Sequence, residues 1–325
     1  MIPRIRGSSL FGKLESFSPS TAGPRASLGR GTGSELSAMV LPVDNRTEAQ
    51  KLRSLVENGV AKRFDLRAWS DKGCAQATAV ERLDVLLEQV RPDVAKLIVL
   101  EELEGTSEED TDALVYGEID MHDFMTELLD KYGGTSAEGG GGGDGTGRRI
   151  FVDLGSGTGK AVMAAGLCRH FSHVWGIELL PCTSAIAELL IEDYVRDVLP
   201  GARPASNPLL SCSVERGDFF QPDVLARWTG ADFVFCNCVT WDQGTMDAMS
   251  AAAERMRPGA LFVTVLCPLS SDKFELVDEA ELKFSWGFVE ALVHRRMTDD
   301  AAALGAMLGD SMSRMRGADD MEHDA

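Results

Sequence analysis

Three glycines alternate in the stretch FVDLGSGTGKAV, residues 151–162, at Gly155, Gly157 and Gly159. Such a loop lets a ligand approach the backbone closely, because glycine has no Cβ and tolerates positive φ. Polar residues with chemistry to offer stand at the ends of the apolar runs around it. Asp153 precedes the glycines, Glu178 closes VWGIE, Asp218 and Phe219 close ERGDF, and Asn237 lies in FCNCVTW. A nucleoside triphosphate loop has the form G-x-x-x-x-G-K-[ST]. Ending that pattern at Gly159-Lys160 puts Leu154 at the first glycine and Ala161 at the magnesium-binding hydroxyl, so the pattern fails. The dinucleotide fingerprint G-x-G-x-x-G fails too, since it needs a glycine where the chain has Lys160. The third candidate is S-adenosylmethionine, whose sulfonium and ammonium suit the carboxylate of Asp153, a group that would repel a pyrophosphate. Glu178 lies far enough beyond the loop for its carboxylate to bond both ribose hydroxyls. Asp218 is then expected to take the adenine amino group, Phe219 to pack on the ring, and Asn237 to stand at the carboxyl edge of the sheet, where open α/β sheets bind ligands.

The elements that must position these residues alternate. RIFVDL precedes the helical pattern GKAVMAAGLCRHF, HVWGIEL precedes PCTSAIAELLIEDYVRDVL, and LLSCSVERGDF precedes DVLARW. ADFVFCNC precedes DQGTMDAMSAAAERM, and GALFVTVL is the fifth strand. Strands alternating with helices predict right-handed βαβ units and a parallel sheet covered on both faces. ELKFSWGFVEALVHRR has two strand-like halves about Gly287, an antiparallel hairpin closing the edge. The expected fold is therefore α/β, a doubly wound, mostly parallel seven-stranded sheet with an antiparallel C-terminal hairpin, preceded by a mainly helical N-terminal part. Within that part TEAQKLRSLVENGV and ATAVERLDVLLEQV carry apolar residues at spacings of three and four, and Pro92 opens a further segment. A clear amphipathic helix follows Asp120, its expected N-cap, with Met121, Phe124, Met125, Leu128, Leu129 and Tyr132 on one stripe. Trp175 and Tyr194 are expected in the core, Trp69 to pack in the amino-terminal part, and His294 to be a strand residue with a satisfied ring.

Composition sets the boundaries. Residues 1–35 form a basic arm rich in Ser, Gly, Pro and Arg, expected to be disordered; alternatives are an organelle transit peptide or an arm that touches nucleic acid. Residues 36–132 are the helical part, 133–147 (GGTSAEGGGGGDGTG) a flexible linker, 148–297 the ligand-binding domain and 298–325 an acidic tail. The glycine run of the linker lacks a flanking strand and helix, so it is not a phosphate cradle. With 32 Lys and Arg against 51 Asp and Glu, the net charge of −19 makes the molecule repel nucleic acid overall. No apolar run approaches the roughly 20 residues of a membrane helix. The seven cysteines include no C-x-x-C pair and are expected to be reduced, mostly buried, and part of no metal site.

The motifs VYGE, FVDLGSGTG, GIE, ERGDF, FCNCVTW and FSW, taken together over residues 112–297, resemble the non-SET histone H3 lysine methyltransferases, the disruptor of telomeric silencing class. The resemblance implies the methyltransferase form of the sheet and S-adenosylmethionine as cofactor. It places Tyr116 and the loop through Glu118 to Ile119 over the methionine end, with Asp153, Gly155, Gly157, Gly159 and Lys160 lining that end. Glu178 would hold the ribose, Asp218 and Phe219 the adenine. Asn237 would sit beside the transferred methyl, with Trp241 and Trp286 walling a lysine channel at whose mouth Tyr116 also acts. It further implies histone H3 or the nucleosome as substrate, a nuclear location (an organelle if the arm is a transit peptide), a monomeric enzyme and weak nucleic-acid contact through the arm. The chain departs from the family pattern at Ile119, Lys160, Cys238 and Trp241, and no tyrosine stands in EALVHRR. The residues by themselves also accommodate a methyltransferase acting on another protein or a small molecule, or a scaffold without chemistry.

Overall fold

The computed structural model describes residues 78–88, 90–103, 117–134, 149–203, 207–285 and 287–302. The basic arm, the TEAQKLRSLVENGV pattern, Trp69, Tyr116, Trp286, and most of the linker and tail lie outside the described residues.

Seven strands form one sheet: β1 Ile150–Leu154, β2 His173–Glu178, β3 Ser211–Arg216, β4 Phe233–Cys236, β5 Leu261–Val265, β6 Phe274–Phe284 and β7 Gly287–Arg296. Their spatial order is β3-β2-β1-β4-β5-β7-β6. The first five are parallel, while β7 runs antiparallel to both β5 and β6. The order reverses at β1, so the ends of β1 and β4 frame a crevice, the place where open α/β sheets bind ligands. Helices α1 Ala79–Leu87, α2 Pro92–Glu102, α4 Lys160–Leu167, α5 Pro181–Asp193, α6 Pro222–Trp228 and α7 Gln243–Ala253 surround it. Helix α3 joins α-helical Met121–Asp123, π-helical Phe124–Leu129 and α-helical Asp130–Tyr132.

Local chemistry explains the helix starts. Thr78 and Glu81 form a reciprocal capping box at α1, and Pro92 opens α2, where its missing N–H has no partner to lose. The Asp120 carboxylate accepts from the amides of His122 and Asp123 at 3.0 and 3.2 Å, the expected N-cap of α3. Glu102, at the end of α2, accepts from the Thr183 amide at 3.0 Å and its hydroxyl at 2.7 Å, and also from the Cys182 amide. That carboxylate ties the N-terminal helices to the first turn of α5, where the helix dipole favours negative charge.

The core has two layers because strand side chains alternate faces. Phe151, Val174, Phe233 and Val263 face α1–α5; Val152, Ile177, Val234 and Phe262 face α6 and α7. On the first face Phe151 stacks on Phe233 at 5.7 Å, and Phe124 of α3 meets Phe235 edge-on at 4.9 Å. Complete burial of each such ring contributes about 1.5–3 kcal/mol. The period of two has a functional consequence. Asp153, Glu178 and Asn237 share parity with Phe151, Val174 and Phe233, so all three project from the same face at the carboxyl ends of their strands.

Tyr194 is fully buried, as expected, and His294 is buried with its Nδ1 hydrogen donated to the Phe262 carbonyl and its Nε2 accepting from the Leu269 amide. Trp175 is a correction. It is half-buried on β2, and the Arg227 guanidinium lies 4.4 Å from its ring centroid, covering the face that the core does not. An edge-proximal strand leaves room for that cation–π contact, and an apolar residue type does not reveal it.

Candidate active site

The glycine loop joins β1 to α4. Gly155, Gly157 and Gly159 all have positive φ, at 78°, 54° and 82°. The amides of Gly155 and Ser156 both donate to the Ile177 carbonyl, at 2.9 and 3.0 Å, which fastens the loop to β2. A Cβ on Gly155 would meet nothing within 4 Å. Glycine is required there by the backbone, and the space beside it is open. Gly159 differs: a Cβ there would lie 3.3 Å from Val214 Cγ2, facing Ala187 and Ile191. Its role in the fold is close packing of α4 on β3 and α5, and its Cα side faces the core.

Three carboxylates converge on this loop, and all are buried: Glu118 at 7%, Asp153 at 3% and Glu178 at 8% exposure. The two oxygens of Glu178 accept separately, Oε2 from the Gly157 amide at 2.8 Å and Oε1 from the Leu180 amide at 2.9 Å. The Leu179 amide also bonds this carboxylate, which still has lone-pair capacity left for a hydroxyl. Burial pushes the Glu178 carboxyl above the ordinary carboxylate range, and those amides pull it back. Asp153 is pushed up to about 8, first by burial and then by the negative charge of Glu178.

Glu118 arrives from the segment before α3. Its carboxylate pairs with the Lys160 ammonium, and the Thr158 hydroxyl donates to Oε1 at 3.5 Å. The segment is held on its far side by the hairpin: the Ser285 amide donates to the Glu118 carbonyl at 2.7 Å, the Asp120 amide to the Lys283 carbonyl at 2.7 Å, and Ile119 bridges Phe284. Asn237 reaches the same segment. Its Nδ2 donates to the Gly117 carbonyl at 3.4 Å, while its Oδ1, like the Ser156 hydroxyl, is buried with no partner among the described residues. A buried acceptor left unmade is costly, roughly 1–3 kcal/mol, unless something else completes it.

The adenine-side candidates form a second group. Asp218 turns its Oδ1 to the Phe220 amide at 2.8 Å. Phe219 is pinned by its carbonyl, which accepts from the Trp228 indole at 2.9 Å. Its ring stacks on Trp241 at 5.3 Å and 27°. The structure therefore joins Trp241 to Phe219, a pairing that the sequence reading did not foresee; it placed Trp241 along a lysine channel instead. The sequence reading also missed Thr158, Gly117 and Ser285. Thr158 could have been found, since it sits inside the glycine motif, but the contacts of Gly117 with Asn237 and of Ser285 with Glu118 join segments 120 and 167 residues apart and leave no local signal.

An S-adenosylmethionine molecule fits these residues on the structure's own terms: an open face at Gly155, buried acids at Asp153 and Glu118 for its sulfonium and ammonium, Glu178 for its ribose, and a carbonyl oxygen of Asn237 with no partner among the described residues. A sheet in this order, with a glycine loop after β1 and acids at the ends of β1 and β2, defines the α/β methyltransferase class.

The family model of the histone methylation protein DOT1 matches residues 99–284, and the chain belongs to that family. A histone-lysine N-methyltransferase, H3 lysine-79 specific, from Gibberella zeae is 32% identical over 176 residues, covering 52% of this chain and 29% of that protein. The chain thus spans less than a third of its relative's length. Among solved structures, an O-methyltransferase from Bacillus cereus bound to SAH is 15% identical over 67% of this chain and 97% of its own, with a TM-score of 0.38. The rRNA methyltransferase aviRa from Streptomyces viridochromogenes is 15% identical over 56% of this chain and 86% of its own, with a TM-score of 0.40.

Proposed function

We propose that the protein transfers a methyl group from S-adenosylmethionine to the side-chain amine of a lysine, with histone H3 in the nucleosome as the acceptor and the nucleus as the place of action. The observation that carries the reading is the unpartnered Oδ1 of Asn237, buried beside the Gly117 carbonyl and on the same sheet face as Asp153 and Glu178. When bound, the cofactor supplies an electrophilic methyl on its sulfonium. The acids of Asp153 and Glu118 face its cationic end, and Glu178 takes the ribose hydroxyls on its free lone pairs. Phe219, backed by Trp241, packs on the adenine, with Asp218 at the amino group.

The acceptor lysine arrives protonated, since its free pKa is about 10.4. An apolar channel and a neighbouring positive charge both favour the neutral amine, so proton loss needs no strong base. Asn237 Oδ1 then accepts an N–H from the amine and aims its lone pair along the line of displacement. Holding the reacting atoms about 3–3.5 Å apart and in line is the main contribution a protein makes to such a step. Tyr116 and Trp286 are assigned to the mouth and wall of the channel.

The family and its 32%-identical relative support the histone as acceptor. The charge of −19 favours a second reading, a methyltransferase for a different protein, because a strongly acidic surface repels DNA. Calorimetry with S-adenosylmethionine, NAD and ATP, followed by single-turnover transfer with Asn237→Ala, tests the proposal. The expected result is selective binding of S-adenosylmethionine, with unchanged affinity and an about 100-fold slower transfer in the variant, the cost of a misaimed nucleophile. Equal transfer rates in variant and wild type would remove Asn237 from the mechanism.

A further inference from the structure

Helix α3 ends against the loop that follows α4, and three donor atoms of different kinds meet there. The carboxylate of Asp130, the thiol of Cys168 and the ring of His170 each offer an atom, and these atoms lie within 4.8 Å of one another. The ring of His170 is seated against two consecutive glycines. A Cβ on Gly134 would stand 2.9 Å from its Cε1 and 3.0 Å from its Nδ1, and one on Gly133 would stand 3.0 Å from its Cδ2. Bulkier residues would displace the ring, so Gly133 and Gly134 fix its position beside the helix end. Cys168 is buried, and its thiol points at the Leu129 carbonyl at 3.9 Å. Leu129 is the last residue of the π-helical turn, a departure from regular geometry that recurs at functional sites and here sets the register of Asp130.

We propose that Asp130, Cys168 and His170 form a zinc-binding clamp, with three protein ligands and a water completing the tetrahedron. A mixed sulfur, nitrogen and oxygen set suits zinc, which accepts all three, better than calcium or magnesium, which take oxygen alone. Binding replaces the thiol proton of Cys168 with a sulfur–zinc bond and releases that proton to solvent. Thiolate and carboxylate together balance the two charges of the ion. That balance matters because Arg149 and Arg203 stand nearby; Arg203 is spent on the carbonyls of Phe171 at 2.7 Å and Gly166 at 3.3 Å, and Arg149 lies over the Phe171 ring at 5.6 Å. The eight residues of α4 separate the clamp from the glycine loop by about 12 Å. The ion would therefore pin the C-terminal end of α3 to the body of the domain, away from the cofactor.

The test uses the full chain stripped with a chelator and titrated with zinc or cobalt(II). One ion per chain is expected, with an intense near-ultraviolet sulfur-to-cobalt band and a higher melting midpoint in zinc. Outer partners of metal ligands already contribute about 10–100-fold in affinity. Cys168→Ser and His170→Ala should each weaken binding at least about tenfold, and Asp130→Asn should weaken it too. Cofactor affinity should remain within about twofold of wild type in all three. A cobalt band that persists in Cys168→Ser would place the metal on other cysteines and overturn the assignment, as would the absence of stoichiometric binding or undiminished affinity in His170→Ala. If Cys168→Ser does not fold, the His170→Ala and Asp130→Asn titrations decide by the same criterion.

Discussion

Asp153 offers a test that reaches from burial to binding. Its carboxyl is pushed up to about 8, so the cofactor-free protein holds a proton on it at neutral pH. A cationic ligand needs the ionised form. At pH 6 about 1% of the protein is ionised at this position and at pH 7 about 9%, so affinity for S-adenosylmethionine should rise about ninefold over that unit, or roughly 1.3 kcal/mol. The window is chosen below the pKa of the cofactor's own amino group, which lies near 7.7–8.0. Calorimetry in buffers of different ionisation enthalpy should find close to one proton released on binding. Asp153→Asn should bind more weakly and show neither the slope nor the release. Stability has the opposite sign. A carboxyl whose folded pKa lies above its unfolded value of about 3.9 loses stability as pH rises from about 4 to 8, because only the unfolded chain ionises it freely. Cofactor-free Asp153→Asn should therefore melt a few degrees higher than wild type at pH 8 and match it near pH 4. Affinity independent of pH with no proton released, or a wild-type slope in the variant, would refute the reasoning.

Other outcomes follow from the same geometry. Glu178→Ala should weaken cofactor binding by roughly 1.5–3 kcal/mol for each charge-assisted bond to the ribose, measured by calorimetry. Lys160→Met should destabilise the fold by about 3–5 kcal/mol because it removes the ammonium from the buried ion pair with Glu118, while Lys160→Met with Glu118→Leu should recover most of that in chemical denaturation. Deleting several residues from 138–145 should change cofactor affinity by less than about twofold, since loop closure depends weakly on length; loss of binding with the fold intact would give the glycine run a specific role.

Much of this was legible in the sequence, and the reasons are local. The alternation of apolar runs and helical patterns located β1 to β5, and Gly287 marked the hairpin because a tight reversal there needs the φ of 147° that it adopts. Asp153, Glu178 and Asn237 were legible because each lies at or within one residue of the carboxyl end of its strand, and these ends gather at one edge of a parallel sheet. What was not legible depended on distant partners. Nothing near Lys160 announces Glu118, which is 42 residues away, and nothing near Trp241 announces Phe219. The amphipathic stripe of α3 predicted a helix but not its π-helical middle, because a single widened turn keeps Phe124, Leu128 and Leu129 buried. Trp175 was misplaced for a related reason: the Arg227 guanidinium lies over its ring, a contact that follows from the tertiary fold.

Under the proposed function, the acid-lined crevice delivers a methyl group to a lysine of histone H3. The most direct measurement is mass spectrometry of nucleosomes, free histones and the same nucleosomes with the H3 acceptor lysine replaced, each incubated with the full chain and isotopically labelled S-adenosylmethionine. The account predicts labelled methyl on one H3 lysine in intact nucleosomes, absent with Asn237→Ala and absent when that lysine is replaced. The same proposal expects that removing residues 1–35, whose basic side chains would meet DNA phosphate, reduces the labelling and flattens its dependence on salt. Label on no histone in any sample, with transfer by the same preparation to another acceptor, would contradict it.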